Sequence, residues 1–162
     1  MVNKQHAAPS AVYYFDSSAL VKRYALEPGT AWVRGLCEQG DNVQAIAHIG
    51  LVELSAALSG KQRGGFLTLD ECEQLLTELV QDTQSDYLLI AIDENVIDSA
   101  FSLTRRHKLR GYDAVHLACA LALQRILTAE GWPELIFVAA DNDLLAAASA
   151  EGLVTDNPNA YP

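Results

Sequence analysis

The segment Ala11-Val-Tyr-Tyr-Phe15, followed at once by Asp16, indicates which class of fold the chain adopts. A short run of aromatic and β-branched residues is typical of a buried strand. The next residues, 17–25, follow the spacing of a helix and are stopped by Pro28 and Gly29. Asp16 therefore stands where a strand passes into a helix, and this order is the first unit of an α/β fold.

The same alternation continues along the chain. Further strands are predicted at 43–47, 87–92, 135–140 and 153–154, and further helices at 30–38, 48–59, 68–82, 93–107, 111–127 and 141–151. Strands that alternate with helices predict an α/β fold, in which a parallel sheet of about five strands is sandwiched by helices. Two successive helices interrupt the pattern and predict a helical hairpin at about 48–82. Gly60 would end its first helix, and Thr68 and Glu71 form a capping box that starts its second.

Length and composition predict one globular domain. The chain has 162 residues, half of them hydrophobic and 20% charged, which suits a single domain at 11–162 after a flexible tail at 1–10. No apolar run is long enough to span a membrane, and the N-terminus lacks the apolar segment of a secretory signal. Three widely spaced cysteines fit neither a disulfide framework nor a zinc site. We therefore expect a cytoplasmic protein with no membrane partner.

Four acidic residues stand where a ligand site would form. In open parallel sheets ligands bind beyond the carboxyl ends of the strands, where Asp16 and Asp141 are predicted to lie. Each of these two also fits the cap of the helix that follows it. Glu53 lies among apolar residues in a predicted helix and could belong to a solvated face. Asp113 lies in the first turn of a helix that is apolar nearly all round, where an acid is also favoured by the helix dipole.

Four segments carry a resemblance to a known family. FDSSALVKRY (15–24), VELSAAL (52–58), GYDAVHLACAL (111–121) and FVAADNDLLAAASAEGL (137–153) resemble, in order, the successive acidic motifs of the PIN-domain family. Within that family they are most similar to the VapC-type toxin ribonucleases. The resemblance extends from about residue 12 to 158. Each motif is weak alone, but four in order at these spacings are fairly specific.

The resemblance implies a PIN fold and a metal-dependent endoribonuclease that cleaves the phosphodiester bonds of RNA. It assigns the metal and catalytic roles to Asp16, Glu53, Asp113 and Asp141, with Mg²⁺ or Mn²⁺ as the cofactor. It also implies a small VapB-like antitoxin as a partner, with the predicted hairpin as a plausible docking surface, and a homodimer. One position departs from the family, which often has Ser or Thr at the place of Ala139. Asp143 is a further acid that could share the role of Asp141.

The net charge of −10 argues against non-specific binding of nucleic acid. Four positive charges are nevertheless concentrated within six residues just before Asp113, at Arg105, Arg106, Lys108 and Arg110. This basic run is a candidate contact for the RNA backbone, or else a solvated helix end. Lys22 and Arg23 are a second candidate contact. We expect His116, one turn after Asp113, to be a hydrogen-bonded core residue.

The sequence argues against two other functions and leaves two open. The sequence contains neither the glycine pattern of a dinucleotide-binding fold nor a P-loop. A phosphoacceptor receiver domain would need further acids near the first strand and a lysine after a late strand, and neither is evident. A catalytically silent PIN-like interaction module, and a PIN nuclease in RNA processing that is not a toxin, both stay open. Metal binding distinguishes the silent module, because such a module has no reason to keep four clustered acids.

Overall fold

The computed structural model describes residues 8–161. Its strands are β1 (Ala11–Phe15), β2 (Asn42–Ala47), β3 (Tyr87–Ile90), β4 (Leu135–Val138) and β5 (Val154–Asp156). Its helices are α1 (Ser17–Tyr24), α2 (Thr30–Glu38), α3 (His48–Arg63), α4 (Leu69–Ser85), α5 (Glu94–Arg106), α6 (Gly111–Glu130) and α7 (Asn142–Ala150). A short 3₁₀ helix, Pro158–Ala160, follows β5.

The five strands form one parallel sheet in the order β3-β2-β1-β4-β5. β1 lies in the centre, where Tyr14 stands opposite Ala45 of β2 and Phe137 of β4. The carboxyl ends of β1 and β4 are therefore neighbours at one edge of the sheet. The predicted α/β fold with about five parallel strands is confirmed.

Helices cover both faces of the sheet, and each face has its own hydrophobic core. One core packs α5, α6 and α7 against residues such as Tyr14 and Phe137, whose rings stack 5.5 Å apart. The other packs α1 to α4 against Phe15 and Ile46. Neighbouring residues of β1 thus point to opposite faces, which is the geometry of a strand buried on both sides. Truncation of such a buried aromatic residue to Ala typically costs about 3–5 kcal/mol.

The predicted helical hairpin is present as α3 and α4, which contact one another. The capping box at Thr68 and Glu71 is confirmed, with the Glu71 N–H donating to Thr68 Oγ1 at 3.2 Å. The predicted end of the first helix at Gly60 is wrong, because α3 continues to Arg63. A glycine inside a helix costs only about 1 kcal/mol. In the added turn Lys61 forms an ion pair with Glu27.

Other boundaries shift by a few residues. β3 and β4 end two residues earlier than predicted, and α6 continues to Glu130, where Gly131 ends it in the left-handed conformation. Cys72 and Cys119 are buried, as expected of small core residues. The predicted flexible tail at 1–10 falls largely on residues 1–7, which lie outside the described residues. Among residues 8–161, no helix combines the length and apolar character needed to cross a membrane.

Candidate active site

Asp16 lies between β1 and α1 and is 4% exposed. Its Oδ1 accepts hydrogen bonds from the Ser18 hydroxyl at 2.5 Å and from the Ala19 N–H at 3.1 Å, so it caps α1. Burial raises the pKa of Asp16 to about 6, although both hydrogen bonds oppose this shift and a neighbouring negative charge on Glu53 adds to it. The fold therefore holds a carboxylate in a place where its ionised form is unfavourable without a counter-charge.

Ser18 joins the first acidic motif to the last. Besides donating to Asp16, its Oγ accepts a hydrogen bond from the Ala140 N–H at 2.9 Å. The next residue, Asp141, caps α7 through Oδ1, which accepts from the Leu144 N–H at 3.0 Å. The predicted capping roles of Asp16 and Asp141 are thus present, and both use Oδ1.

Asp113 occupies the first turn of α6, where its Oδ2 accepts a hydrogen bond from the Arg110 N–H at 3.2 Å. Partial burial raises its pKa, the Arg110 hydrogen bond opposes the shift, and the negative charges of Asp141 and Glu53 add to it. A cavity of about 260 Å³ opens beside it. The cavity is lined by Lys108, Leu109, Arg110, Asp113, Asp141 and Asp143.

Glu53 reaches the same region from α3. Its Oε2 lies 2.5 Å from Nε2 of His116, a residue that is 1% exposed on α6. The charge of Glu53 contributes to the raised pKa of both Asp16 and Asp113, so it lies within electrostatic range of each. His116 is the buried, hydrogen-bonded residue that the sequence predicted. Its partner was missed, because sequence spacing does not show which helix faces α6.

The structure places two of the predicted acids, Asp113 and Asp141, around one cavity together with Asp143. Asp16 and Glu53 do not line that cavity. The negative charge of Glu53 nevertheless adds to the raised pKa of both Asp113 and Asp16. Within residues 8–161, no three histidine, cysteine, aspartate or glutamate side chains are arranged to hold a metal ion. Each of the four acids is instead held by a hydrogen bond within the chain. Their sharing of one ion stays a prediction.

One oxygen of each carboxylate takes no hydrogen bond from the part of the chain that the structure describes. These four atoms are Oδ2 of Asp16, Oε1 of Glu53, Oδ1 of Asp113 and Oδ2 of Asp141. Carboxylate oxygens are the ligands that Mg²⁺ and Mn²⁺ prefer in proteins. The donor chemistry therefore fits a hard divalent cation.

The basic run divides between two places. Lys108 and Arg110 line the acidic cavity, and Nζ of Lys108 lies 3.7 Å from an oxygen of Asp143. Arg106 instead donates two hydrogen bonds, of 3.2 and 2.9 Å, to Oε1 of Glu151 just beyond the C-terminus of α7. Arg105 is exposed. The run is therefore not one continuous basic surface.

The second basic candidate is engaged inside the chain. Lys22 is buried and pairs with Glu27 at 3.1 Å. Arg23 pairs with Asp82 at 3.0 Å and with Asp86 at 2.7 Å. Both cations already have carboxylate partners within the chain, and their contact with RNA stays a prediction. The sequence position of Arg23 near the first acid gave no sign of its two long-range pairs.

Comparison with known proteins identifies the family. Residues 13–150 match the family model described as the PIN domain. This chain belongs to the PIN-domain family. Among its curated relatives is Ribonuclease VapC45 of Mycobacterium tuberculosis (strain CDC 1551 / Oshkosh), 32% identical over 142 residues that cover 86% of this chain and 90% of the relative. Ribonuclease VapC47 of the same strain is 31% identical over 156 residues, covering 91% and 97%. The PIN-domain, VapC-type resemblance found in the sequence is confirmed.

Solved structures share the PIN fold. A structure of FitAB bound to an IR36 DNA fragment matches with a TM-score of 0.63 at 14% identity, covering 90% of this chain and 94% of that one. The crystal structure of Mycobacterium tuberculosis VapC20, described as a sarcin-ricin loop cleaving toxin, matches with a TM-score of 0.60 at 15% identity, covering 93% and 99%. At these identities the structural likeness concerns the fold alone.

Proposed function

We propose that this PIN-domain protein is a Mg²⁺- or Mn²⁺-dependent endoribonuclease and the toxin of a VapBC-type toxin–antitoxin pair. The observation that supports it most is the set of four carboxylates near the carboxyl ends of β1 and β4, each with one oxygen outside the hydrogen bonds of the chain. The curated relatives are named ribonucleases and align over nearly their whole length. We propose that residues 11–162 act as one nuclease domain.

The four acids have different proposed roles in binding the cation. Asp16 and Asp113 are the main ligands, since one stands at the end of the central strand and the other beside the cavity. Glu53 and Asp141 bind the ion directly or hold its water, and Asp143 can replace Asp141. When bound, Mg²⁺ or Mn²⁺ would supply an activated water and neutralise charge on the scissile phosphate.

Lys108 and Arg110 would hold the RNA backbone at the mouth of the cavity. Both line the cavity beside the acids, so a phosphate bound to them is next to the proposed metal site. Positive charge near the site offsets the repulsion expected from the net charge of −10. Arg105 and Arg106 were predicted to assist, but Arg106 is already paired with Glu151.

A VapB-like antitoxin is the proposed protein partner, acting in the cytoplasm. Several structures with the same fold are toxin–antitoxin complexes, such as the one from Klebsiella pneumoniae. The hairpin of α3 and α4 has an apolar cavity of about 350 Å³ between the two helices, which suits an apolar segment of the partner. Val52 and Val80 on the hairpin are more than half exposed. We further propose that the protein forms a homodimer.

The experiment is RNA cleavage by purified protein freed of any antitoxin. Single-stranded or looped RNA should be cut in Mg²⁺ or Mn²⁺, and EDTA should stop the reaction. Zn²⁺ should substitute poorly, because oxygen ligands favour hard ions. Expression of the wild type should arrest growth, whereas the Asp113→Ala variant should not. An exposed acid of α5, Asp98, offers a control, and Asp98→Ala should cleave normally.

Four outcomes would count against the proposal. Cleavage that resists EDTA, or full activity of Asp113→Ala, would show that the carboxylates are not the catalytic centre. No cleavage of varied RNAs, together with no binding of Mn²⁺, would favour the silent interaction module. Cleavage without growth arrest would favour a PIN nuclease that is not a toxin.

A further inference from the structure

A buried chain of hydrogen bonds connects the central strand to Glu53. The Tyr14 hydroxyl lies 3.1 Å from Nδ1 of His116, and Nε2 of the same imidazole lies 2.5 Å from Oε2 of Glu53. Tyr14 is fully buried and His116 is 1% exposed, whereas the Glu53 side chain is 24% exposed. These two hydrogen bonds thus connect the core of the sheet to an acid at the edge of the proposed site.

The carboxylate of Glu53 fixes the direction of its hydrogen bond with His116. An ionised carboxylate only accepts, so Nε2 of His116 must carry the hydrogen that is donated to Glu53. Nδ1 of the same imidazole pairs with the Tyr14 hydroxyl, and either atom can be the donor. All three groups therefore have a hydrogen-bond partner within this series.

Packing holds the two rings in place. Tyr14 stacks on Phe137 at 5.5 Å with an angle of 8° between the rings, and its ring meets that of His116 edge to face at 6.1 Å. These contacts leave the imidazole little freedom to turn. The position of the Nε2 hydrogen, and with it the position of Glu53 Oε2, is therefore set by the core.

Gly50 provides the space for this arrangement. A Cβ at Gly50 would lie 2.5 Å from Cδ1 of Ile46 and 3.2 Å from Cε1 of His116. The first distance is shorter than real carbon contacts allow, so a larger residue would displace its neighbours. Gly50 is one turn before Glu53 on α3, and its lack of a side chain lets this helix approach the imidazole closely.

We infer that His116 is a positioning residue, which holds Oε2 of Glu53 so that Oε1 is presented to a divalent cation, and that Tyr14 fixes the imidazole in turn. The inference rests on the proposed function. Glu53 is partly exposed, so without His116 its flexible side chain could rotate toward water. Groups that orient a metal ligand in this way commonly change metal affinity about 10- to 100-fold when removed.

The test is the affinity for Mn²⁺ measured by calorimetry, a readout that does not require RNA cleavage. His116→Leu keeps an apolar side chain of similar size but removes the donor, and should weaken Mn²⁺ binding by about 10-fold or more. His116→Gln can still donate to Glu53 and should recover most of the affinity. Tyr14→Phe removes only the hydroxyl and should cause a smaller loss than His116→Leu.

A double-variant cycle distinguishes positioning from general damage to the core. If His116 acts through Glu53, His116→Leu should cost little further Mn²⁺ affinity in a Glu53→Gln background. Tyr13→Phe is the matched control for Tyr14→Phe, because Tyr13 is the neighbouring residue of β1 and packs with the core on the other face of the sheet. This control should leave Mn²⁺ affinity unchanged. Melting temperatures in EDTA show which variants remain folded.

The outcomes separate the inference from the function on which it depends. Unchanged Mn²⁺ affinity in folded Tyr14→Phe and His116→Leu, or fully additive losses in the cycle, would overturn the positioning role and leave the proposed nuclease intact. If His116→Leu does not fold, Tyr14→Phe decides the question, and unchanged Mn²⁺ affinity in that folded variant overturns the positioning role. No Mn²⁺ binding by the wild type would overturn both.

Discussion

Two regions hold acids of the proposed site in different ways. At the junction of β1 and α1, Asp16 is fixed by hydrogen bonds from Ser18 and Ala19, which are two and three residues away. On α3, Glu53 is fixed by His116, which is 63 residues away in sequence. The first acid is positioned by the first residues of the helix that it caps, and the second by the packing of two helices. Local capping can place a carboxylate at a strand end, but the side chain of an acid inside a helix needs a tertiary partner to fix its orientation.

The largest expected effect comes from the locally held acid. Asp16→Asn should lower the rate of RNA cleavage in Mg²⁺ at least about 100-fold, a loss comparable to that from misplacing a catalytic group by about 1 Å. Asn keeps an oxygen for the Ser18 and Ala19 hydrogen bonds, so the variant isolates the loss of charge from the loss of the cap. Cleavage rates at saturating RNA, with Asp98→Asn as the control, provide the measurement.

A smaller loss is expected for Glu53→Gln, since this side chain is partly exposed and is held at one oxygen only. If Asp16→Asn cleaves RNA as fast as Glu53→Gln or faster, the distinction between the two regions is contradicted. Both variants should be compared at the same Mg²⁺ concentration, because weakened metal binding and slower chemistry otherwise give similar rates.

The second effect is on the stability of the metal-free protein. Burial raises the pKa of Asp16 from 3.8 to about 6, so the folded state binds a proton more tightly than the unfolded chain does. The stabilising contribution of the protonated form is therefore complete below about pH 4 and is lost as pH rises through about 6. A shift of this size corresponds to a change on the order of 3 kcal/mol in the free energy of unfolding.

Urea unfolding in EDTA between pH 4.5 and 7.5 measures this effect. The wild type should lose stability over that window relative to Asp16→Asn, which cannot ionise and should be the more stable protein at pH 7.5. Excess Mn²⁺ should stabilise the wild type at pH 7.5 and have little effect on the variant. Parallel pH profiles for the two proteins in EDTA would contradict the assignment of a buried, unfavourable charge to Asp16.

A third effect distinguishes the two parts of the basic run. Replacing both Lys108 and Arg110 with Gln should weaken RNA binding and reduce the slope of log K against log salt by about 2, one for each lost phosphate contact. Arg106→Gln removes one positive charge, from a side chain paired with Glu151, and should leave that slope nearly unchanged. Binding should be measured in Ca²⁺ or with Asp113→Asn, so that RNA is not cut. Equal slopes for the wild type, the double variant and Arg106→Gln would show that Lys108 and Arg110 do not contact the RNA backbone.

Sequence reasoning succeeded where structure is local. The strand at 11–15, the capping of α1 by Asp16 and the capping box of α4 all follow from residues within a few positions of one another. It failed where partners are distant in sequence, as for Arg23 with Asp82 and Asp86, and for Arg106 with Glu151. The hydrogen bond between His116 and Glu53 belongs to the second kind. No periodicity along one helix reveals which residue of another helix faces it.

The two interior glycines of α3 show the same contrast with the smallest expected effects. A Cβ at Gly60 would lie 3.8 Å from the nearest heavy atom, on Arg63, so it meets only ordinary contacts. Gly60→Ala should therefore stabilise the protein by about 0.5–1 kcal/mol, because alanine is the better helix former.

Gly50→Ala has the same intrinsic advantage, but its methyl group would press on Ile46 and His116. We expect this strain to cancel the gain and leave the protein about 1 kcal/mol less stable. The displaced imidazole should also lower Mn²⁺ affinity a few-fold in Gly50→Ala and not in Gly60→Ala, as judged by calorimetry beside urea unfolding in EDTA. Equal stabilisation of both variants would mean that α3 moves freely relative to α6, and that the position of Glu53 does not depend on their close approach.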